Sequence, residues 1–506
     1  MELGRKPISK GEGVNLLKKG LGSKISTLVA FIIWGVSMFL IYDKNYATPK
    51  PNDLADVPIG APVSGQFQNW MNVSMGGGKI GYTMQAFSNS TLGYVLKDYS
   101  LIRIPLGGTI KEIYMDSYSV LNSDFSLKTF TFGLISGDYT TDVFGEVNGN
   151  KLDIKLKSQN STSNTSFAAD KGIYLPSVIP LLAGLRGFPK GEFSLPTFDP
   201  FSLSLNEIQV TIGDEEEIST ENGKKAAHRL DISVSGMNST MWVDRSGHVL
   251  REEETGGMVM EVTSKEKALD IRDISPQGQD LLANLAVTCK GKIDDPRSVK
   301  SLRIQIDGID PAFFNLNDDF QTVISTDPLV LEIHPERIDS STLAVPDSFL
   351  VATPLLQVTD PRIVYKSAEI IGDETSPKDK ALKLGRWVFN SIKKDYAVSL
   401  PSAVDVLSVK KGDCNEHTSL YTALARAAGL PTKMCIGLVY KDGFFYYHAW
   451  PAVHLGGWTP IDPTFGQERA DATHIMLIEG GLERQADLMR VVGKISVTIL
   501  DDPEDL

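Results

Sequence analysis

Three short motifs constrain this chain most: Gly412-Asp413-Cys414-Asn415-Glu416-His417, His448-Ala449-Trp450 and Ile461-Asp462-Pro463. In that order they offer a thiol, an imidazole and a carboxylate. A thiol attacks carbonyls as thiolate, so it needs an imidazole in reach to take its proton, and the imidazole needs a third group to fix its tautomer. A fold that uses all three must bring Cys414, His448 and Asp462 together from separate elements.

The local patterns say how. Thr418 to Ala428 reads as a helix with Leu420, Leu424 and Ala427 or Ala428 on one face, closed by Gly429 and Pro431, with Asp413 as N-cap and Cys414 at its opening. The partial positive charge of a helix N-terminus predicts a lowered thiol pKa and a backbone donor for an oxyanion. An antiparallel meander follows: Lys433 to Tyr440, Phe444 to His454, then Trp458 to Asp462 after Gly456-Gly457. A three-residue loop at Leu455-Gly456-Gly457 would pair His454 with Trp458 and Trp450 with Asp462. Period-two alternation then places His448, Trp450 and Asp462 on one face, with His448 and Asp462 as diagonal neighbours.

This order of helix and hairpin resembles the transglutaminase-like superfamily, over about Ala381 to Ile478. A weaker likeness to the lead-in of bacterial membrane-anchored members runs from Asp280-Leu281-Leu282 through Asp295-Pro296-Arg297 to Leu302-Arg303-Ile304. The resemblance implies a papain-like core with Cys414 as nucleophile, His448 as base and Asp462 as orienting acid. The family includes acyltransferases, peptidases and amidases that pass through a thioester, and members that have lost activity. No cofactor is implied. Trp450, Glu416 and His417 are candidates for a substrate groove, with packing as their alternative role. A zinc site from Cys414, His417, Cys435, His448 and His454 is disfavoured, because its second half lies on a strand rather than in a knuckle.

Upstream, Arg5, Lys6, Lys10, Lys18, Lys19 and Lys24 precede an uncharged apolar run, Ile25 to Tyr42, long enough for a membrane helix with its basic end in the cytoplasm. Retention as an anchor is favoured over cleavage as a signal peptide. Four prolines between Asp43 and Pro62 read as a stiff spacer. From there short alternating strands dominate, among them Lys79 to Phe87, Leu152 to Leu156 and Ala227 to Ser233, with turns at Asn148-Gly149, Asn222-Gly223 and Asp244 to Gly247. Ile173 to Leu185 and Phe188 to Phe201 read as a lid over a cavity or a buried loop. Cys289 and Cys435 read as buried thiols rather than a disulfide.

The expected architecture is α+β: a cytoplasmic basic segment at 1–24, a transmembrane helix at 25–42, a linker at 43–62, a mainly antiparallel half-barrel or sandwich at 63–285, a small β region or connection at 286–358, and a transglutaminase-like domain at 359–506 whose Cys-bearing helix packs on an antiparallel sheet. A net charge of −13 argues against nucleic acid as partner. The chain therefore reads as a single-pass membrane-anchored cysteine enzyme, its bulk outside the cytoplasm, acting on peptide or amide carbonyls. The alternative is an exported binding or assembly module built on the same scaffold.

Overall fold

The computed structural model describes residues 52–57, 66–272 and 285–500, apart from short stretches at 92, 235–236, 337–344, 397, 401, 482–483, 485–486 and 489. The apolar run at 25–42 and most of the proline-rich segment lie outside the described residues. Among the described residues no helix is long and apolar enough to cross a membrane. The fold is sheet-rich α+β and almost wholly antiparallel.

Eight strands form the first meander: β1 (Phe67–Met75), β2 (Gly78–Ser90), β3 (Gly93–Leu106), β4 (Thr109–Leu121), β5 (Leu127–Ser136), β6 (Tyr139–Asn148), β7 (Lys151–Ser158) and β8 (Thr162–Ala168). Alternation makes them strands, most plainly in β7, where Leu152, Ile154 and Leu156 are buried and Asp153 and Lys155 between them point out. After helix α1 (Ile179–Leu185) come β9 (Gly191–Asp199), β10 (Ser204–Thr220), β11 (Gly223–Val234), β12 (Met237–Val243), β13 (Val249–Glu254) and β14 (Met258–Thr263). β14 pairs with β1, so both meanders make one continuous curled sheet rather than two stacked ones.

Its apolar face wraps the segment around α1, where Ile173, Val178, Ile179, Leu181 and Leu182 are buried in the same core as the strands. Ile173 to Leu185 is largely buried, and Pro176, Ser177, Ile179 and Pro180 within it also line cavities on this face. Phe188 to Phe201 is not a loop: it carries β9, paired with β10 from Gly191 to Asp199. Gly247 shows why its turn needs glycine: φ is +85°, and a Cβ there would lie 2.9 Å from Leu181 Cα in α1.

After the short helix α2 (Lys265–Leu269), the second part has strands β15 (Val287–Lys290), β16 (Leu302–Asp307), β17 (Gln321–Thr326) and β18 (Leu329–Ile333). Helices α3 (Pro361–Ile371), α4 (Pro377–Ser391), α5 (Ala403–Val409) and α6 (Cys414–Ala427) follow. Last come β19 (Thr432–Lys441), β20 (Phe444–His454), β21 (Trp458–Pro460), β22 (Ile475–Glu479) and β23 (Ser496–Ile499). The strands form one sheet in the order β17-β18-β16-β23-β15-β20-β19-β22, with β21 on β20. Strands β15 to β18 therefore extend this sheet instead of closing a β-unit of their own. Helices α3 and α4 start at Asp360-Pro361 and Ser376-Pro377, a capping residue followed by proline at the first turn, each cap side chain accepting a backbone N–H.

The curled sheet is tied to this second part at its hairpin ends. Lys111 pairs with Asp395 at 2.5 Å and Lys411 with Asp138 at 2.6 Å, while Tyr139 donates to the Lys411 carbonyl. Asp405 accepts from the Asn160 N–H at 2.9 Å.

Candidate active site

Cys414 is the first residue of α6, a helix buried along its whole length from Glu416 to Arg426. Asp413 caps it, accepting from the Asn415 N–H at 2.9 Å, and Glu416 returns the bond by accepting from the Asp413 N–H at 2.8 Å. Gly412 lies just before, where a Cβ would come within 2.3 Å of the Glu416 side chain. Thr418 Oγ1 donates to the Ala449 carbonyl at 3.0 Å, fixing the helix start against the strand that carries His448.

The expected depression of the thiol pKa is not found. Burial pushes Cys414 well up, the Asp413 carboxylate adds to that, and the hydrogen bond from the Ala449 backbone offsets only part of it. The N-cap places a carboxylate beside the sulfur, a charge that acts against the partial positive charge of the helix end.

His448 lies in β20 opposite Gly437, stacked on Phe465 with ring centres 5.0 Å apart. Its Nε2 bonds Asp462 Oδ2 at 2.9 Å. A proton on Nε2 leaves the lone pair on Nδ1, the tautomer a general base needs. The sequence-derived register is right at His454↔Trp458, but Trp450 and Asp462 do not pair. Strand β21 ends at Pro460, and Asp462 leaves the ladder to cap a turn, its Oδ1 accepting from the Thr464 and Phe465 N–H groups at 2.7 and 3.0 Å.

Asp462 Oδ2 also accepts from Nε2 of His474 at 3.0 Å. Nδ1 of His474 faces the Asp471 carbonyl at 3.1 Å, with the Asp471 carboxylate 3.4 Å away. Both ring nitrogens thus meet only acceptors, and both must donate. Burial opposes that charge, but Asp462 and Asp471 overcome it and raise His474 to about 9. Asp471 in turn pairs with Arg297 at 2.7 Å, and the Arg297 guanidinium covers Phe465, the ring stacked on His448, at 4.5 Å. Burial would push Asp462 up; the two imidazoles hold it well below the usual range instead.

His448, Asp462 and His474 present ligand atoms within 4.8 Å of one another. Both imidazoles bring Nε2 to the same Asp462 Oδ2, at 2.9 and 3.0 Å, so the trio forms a continuous hydrogen-bonded chain. Cys414, His417, Cys435 and His454 do not join it.

Cys414 and His448 line one cleft of about 550 Å³, walled by Lys394, Tyr396, Tyr446, Thr464 and Phe465. The hairpin tip Gly107-Gly108 of the curled sheet closes one side; a Cβ on Gly107 would lie 2.1 Å from the Tyr396 ring. The groove expected of Trp450, Glu416 and His417 is not there: none lines the cleft, and each is at most 1% exposed. Trp450 packs with Cys435 and Phe320. Glu416 is consumed by the cap and by Ser399, and His417 Nδ1 bonds the Asp413 carbonyl at 2.6 Å. All three cysteines are free, Cys435 buried as expected but Cys289 only partly so.

His474, Asp471, Arg297, Thr464 and the Gly107-Gly108 tip were not singled out as site residues by the motifs. Arg297 sits in the quoted lead-in, and Asp471 opens a turn by accepting from the Thr473 N–H at 2.8 Å, the one local cue nearby.

Residues 365–463 match the family model of the transglutaminase-like superfamily. That segment belongs to the superfamily. The transglutaminase-like segment includes Cys414, His448 and Asp462 and stops short of His474. A 95-residue stretch is 34% identical to an uncharacterized protein of Haemophilus influenzae, covering 18% of this chain and 26% of that protein. The chain thus spans about a quarter of that relative's length. Among solved structures, a β-barrel-like protein of a domain of unknown function from Brucella abortus is similar at 11% identity and TM-score 0.33, over 39% of this chain and 95% of that one. A second, described as a "putative cysteine protease" from Cytophaga hutchinsonii, is similar at 16% identity and TM-score 0.25, over 39% of this chain and 83% of that one.

Proposed function

We propose that this chain is a cysteine enzyme that opens peptide or amide carbonyls through a thioester on Cys414. The observation that carries the reading is the buried His448–Asp462 bond, which turns Nδ1 of the imidazole into a base on the wall of the cleft that holds the thiol. The resting thiol is protonated, so the base acts during attack. His448 Nδ1 takes the Sγ proton as sulfur bonds to the carbonyl carbon, then returns it to the leaving amine as the carbon–nitrogen bond breaks. Water or a second amine, deprotonated by the same imidazole, displaces the thiolate. The Cys414 N–H, at the first helical position, has no intrahelical partner and supplies a donor for the oxyanion.

A peptidyl vinyl sulfone tests this. The native chain should be labelled at Cys414 and not at Cys289 or Cys435, labelling should vanish in Cys414→Ala, and it should slow at least 100-fold in His448→Gln. Equal labelling of native and His448→Gln chains would refute a base-activated nucleophile. The same proposal places the enzyme on the outer side of a membrane, supported by the basic cluster before Ile25 to Tyr42. Protease added to intact cells with a permeable outer layer should digest the bulk of an anchored chain; full protection would refute that placement.

A further inference from the structure

The concave face of the curled sheet holds two adjoining lobes of about 320 and 430 Å³, which share Pro176, Ser177, Met241 and Glu252. Strand alternation decides what faces them. On β13, Glu252 sits opposite Met241 and Met260, which line the same lobe, and Glu254 follows two residues on, opposite Ser239. The intervening residues point outward and are neutralised: Arg251 bonds Glu253 at 2.8 Å and Glu261 at 2.9 Å.

No such partner exists inside. Among the described residues neither lobe is lined by a lysine, arginine or histidine, and the carboxylates of Glu252 and Glu254 enter no hydrogen bond or ion pair. Glu252 is half-buried and Glu254 exposed, and two adjacent carboxylates without a counter-charge repel one another. Burial and the neighbouring Glu254 accordingly push Glu252 up to about 8.

An independent observation comes from the other end of the first lobe. Ser119, on β4, shares the inner face with Met115 and Ser117, is 0% exposed, and its hydroxyl has no hydrogen-bond partner. A buried hydroxyl left unpaired on a cavity wall is an uncommon expense that a bound polar group removes. The rest of that wall is mixed: Met71, Met241, Met260 and Phe130 give an adaptable apolar surface, beside Asp98, which accepts from Gln85 and Ser117, and Asp116.

We infer that this concavity is a binding site for an aliphatic amine, its ammonium head held by Glu252 and Glu254, its chain on the methionines, and a polar far end bonded to Ser119. The site is separate from Cys414 and does not depend on the chemistry proposed there.

The test is a ligand-observed NMR titration of the full chain in lipid nanodiscs with three probes of equal length: 6-aminohexan-1-ol, hexane-1,6-diol and 6-hydroxyhexanoate. The amine should bind at least tenfold more tightly than the diol, and the carboxylate should not bind. The variant Glu252→Gln/Glu254→Gln should lose the preference for the amine over the diol, and Ser119→Ala should weaken the amine several-fold. No preference in the native chain, or a preference retained in the double glutamine variant, would overturn the inference. Unchanged amine affinity in Ser119→Ala would overturn the placement of the far end. The comparison among probes on the native chain stands even if a variant fails to fold.

Discussion

Replacing His474 by glutamine separates charge from packing in the buried relay. Glutamine keeps a hydrogen-bond donor near Asp462 but cannot carry the positive charge that lies between Asp462 and Asp471. The folded-state pKa of His474 is raised from 6.5 to about 9, and at 1% exposure the environment is scarcely screened by solvent. A raised pKa gives stability that is complete below the unfolded value of about 6.5 and is lost as pH climbs through about 9. The shift corresponds to about 3 kcal/mol, or roughly 3 °C in Tm for the compact unit from Asp53 to Leu506. Thermal unfolding of native and His474→Gln chains should therefore show a gap of that order at pH 6 that shrinks sharply by pH 10. A gap of constant size would refute the reasoning, since a packing defect does not titrate over that window.

Cys414 should alkylate with iodoacetamide more slowly than a free thiol at pH 7, with a rate that keeps rising above pH 9, because burial and Asp413 hold the thiol up. Asp413→Asn keeps a competent cap and removes a charge, so the alkylation profile should shift to lower pH; an unmoved profile would discount that carboxylate. Lys433 and Asp318 form an ion pair with side chains 2% and 6% exposed, so Lys433→Met strands a buried carboxylate and should cost about 3–5 kcal/mol in urea unfolding. A loss below about 1 kcal/mol would show that Asp318 takes up a proton without penalty. Gly107→Ala drives a methyl into the Tyr396 ring at a positive φ of 61°, so it should raise KM or lower kcat severalfold while Tm changes little. Unaltered kinetics would show that the hairpin tip does not shape the cleft.

Much of this was legible in sequence, where the cause is local. The Asp413 cap, the helix opened by Cys414, the starts at Asp360-Pro361 and Ser376-Pro377, and the pairing of His454 with Trp458 depend on a few neighbouring residues and on simple periodicity. The approach of His448 to Asp462 also follows from order and alternation, although Asp462 reaches it from a turn rather than from the strand.

What tertiary structure decided is charge and access. The thiol is raised and not lowered because burial and Asp413 act together on the sulfur, and burial is a property of the whole fold. Trp450, Glu416 and His417 look like groove residues by proximity in sequence, yet helix and strand turn them into packing and caps. His474 follows Asp462 across a loop with no periodic pattern, and Arg297 arrives from far upstream, so nothing local couples either to the triad. Sequence alone picked out the groups proposed here for the chemistry, because a helix start and a hairpin register are short-range. The protonation of those groups, the roof over them and the acidic concavity of the curled sheet were settled only by long-range packing, which sets dielectric and exposure residue by residue.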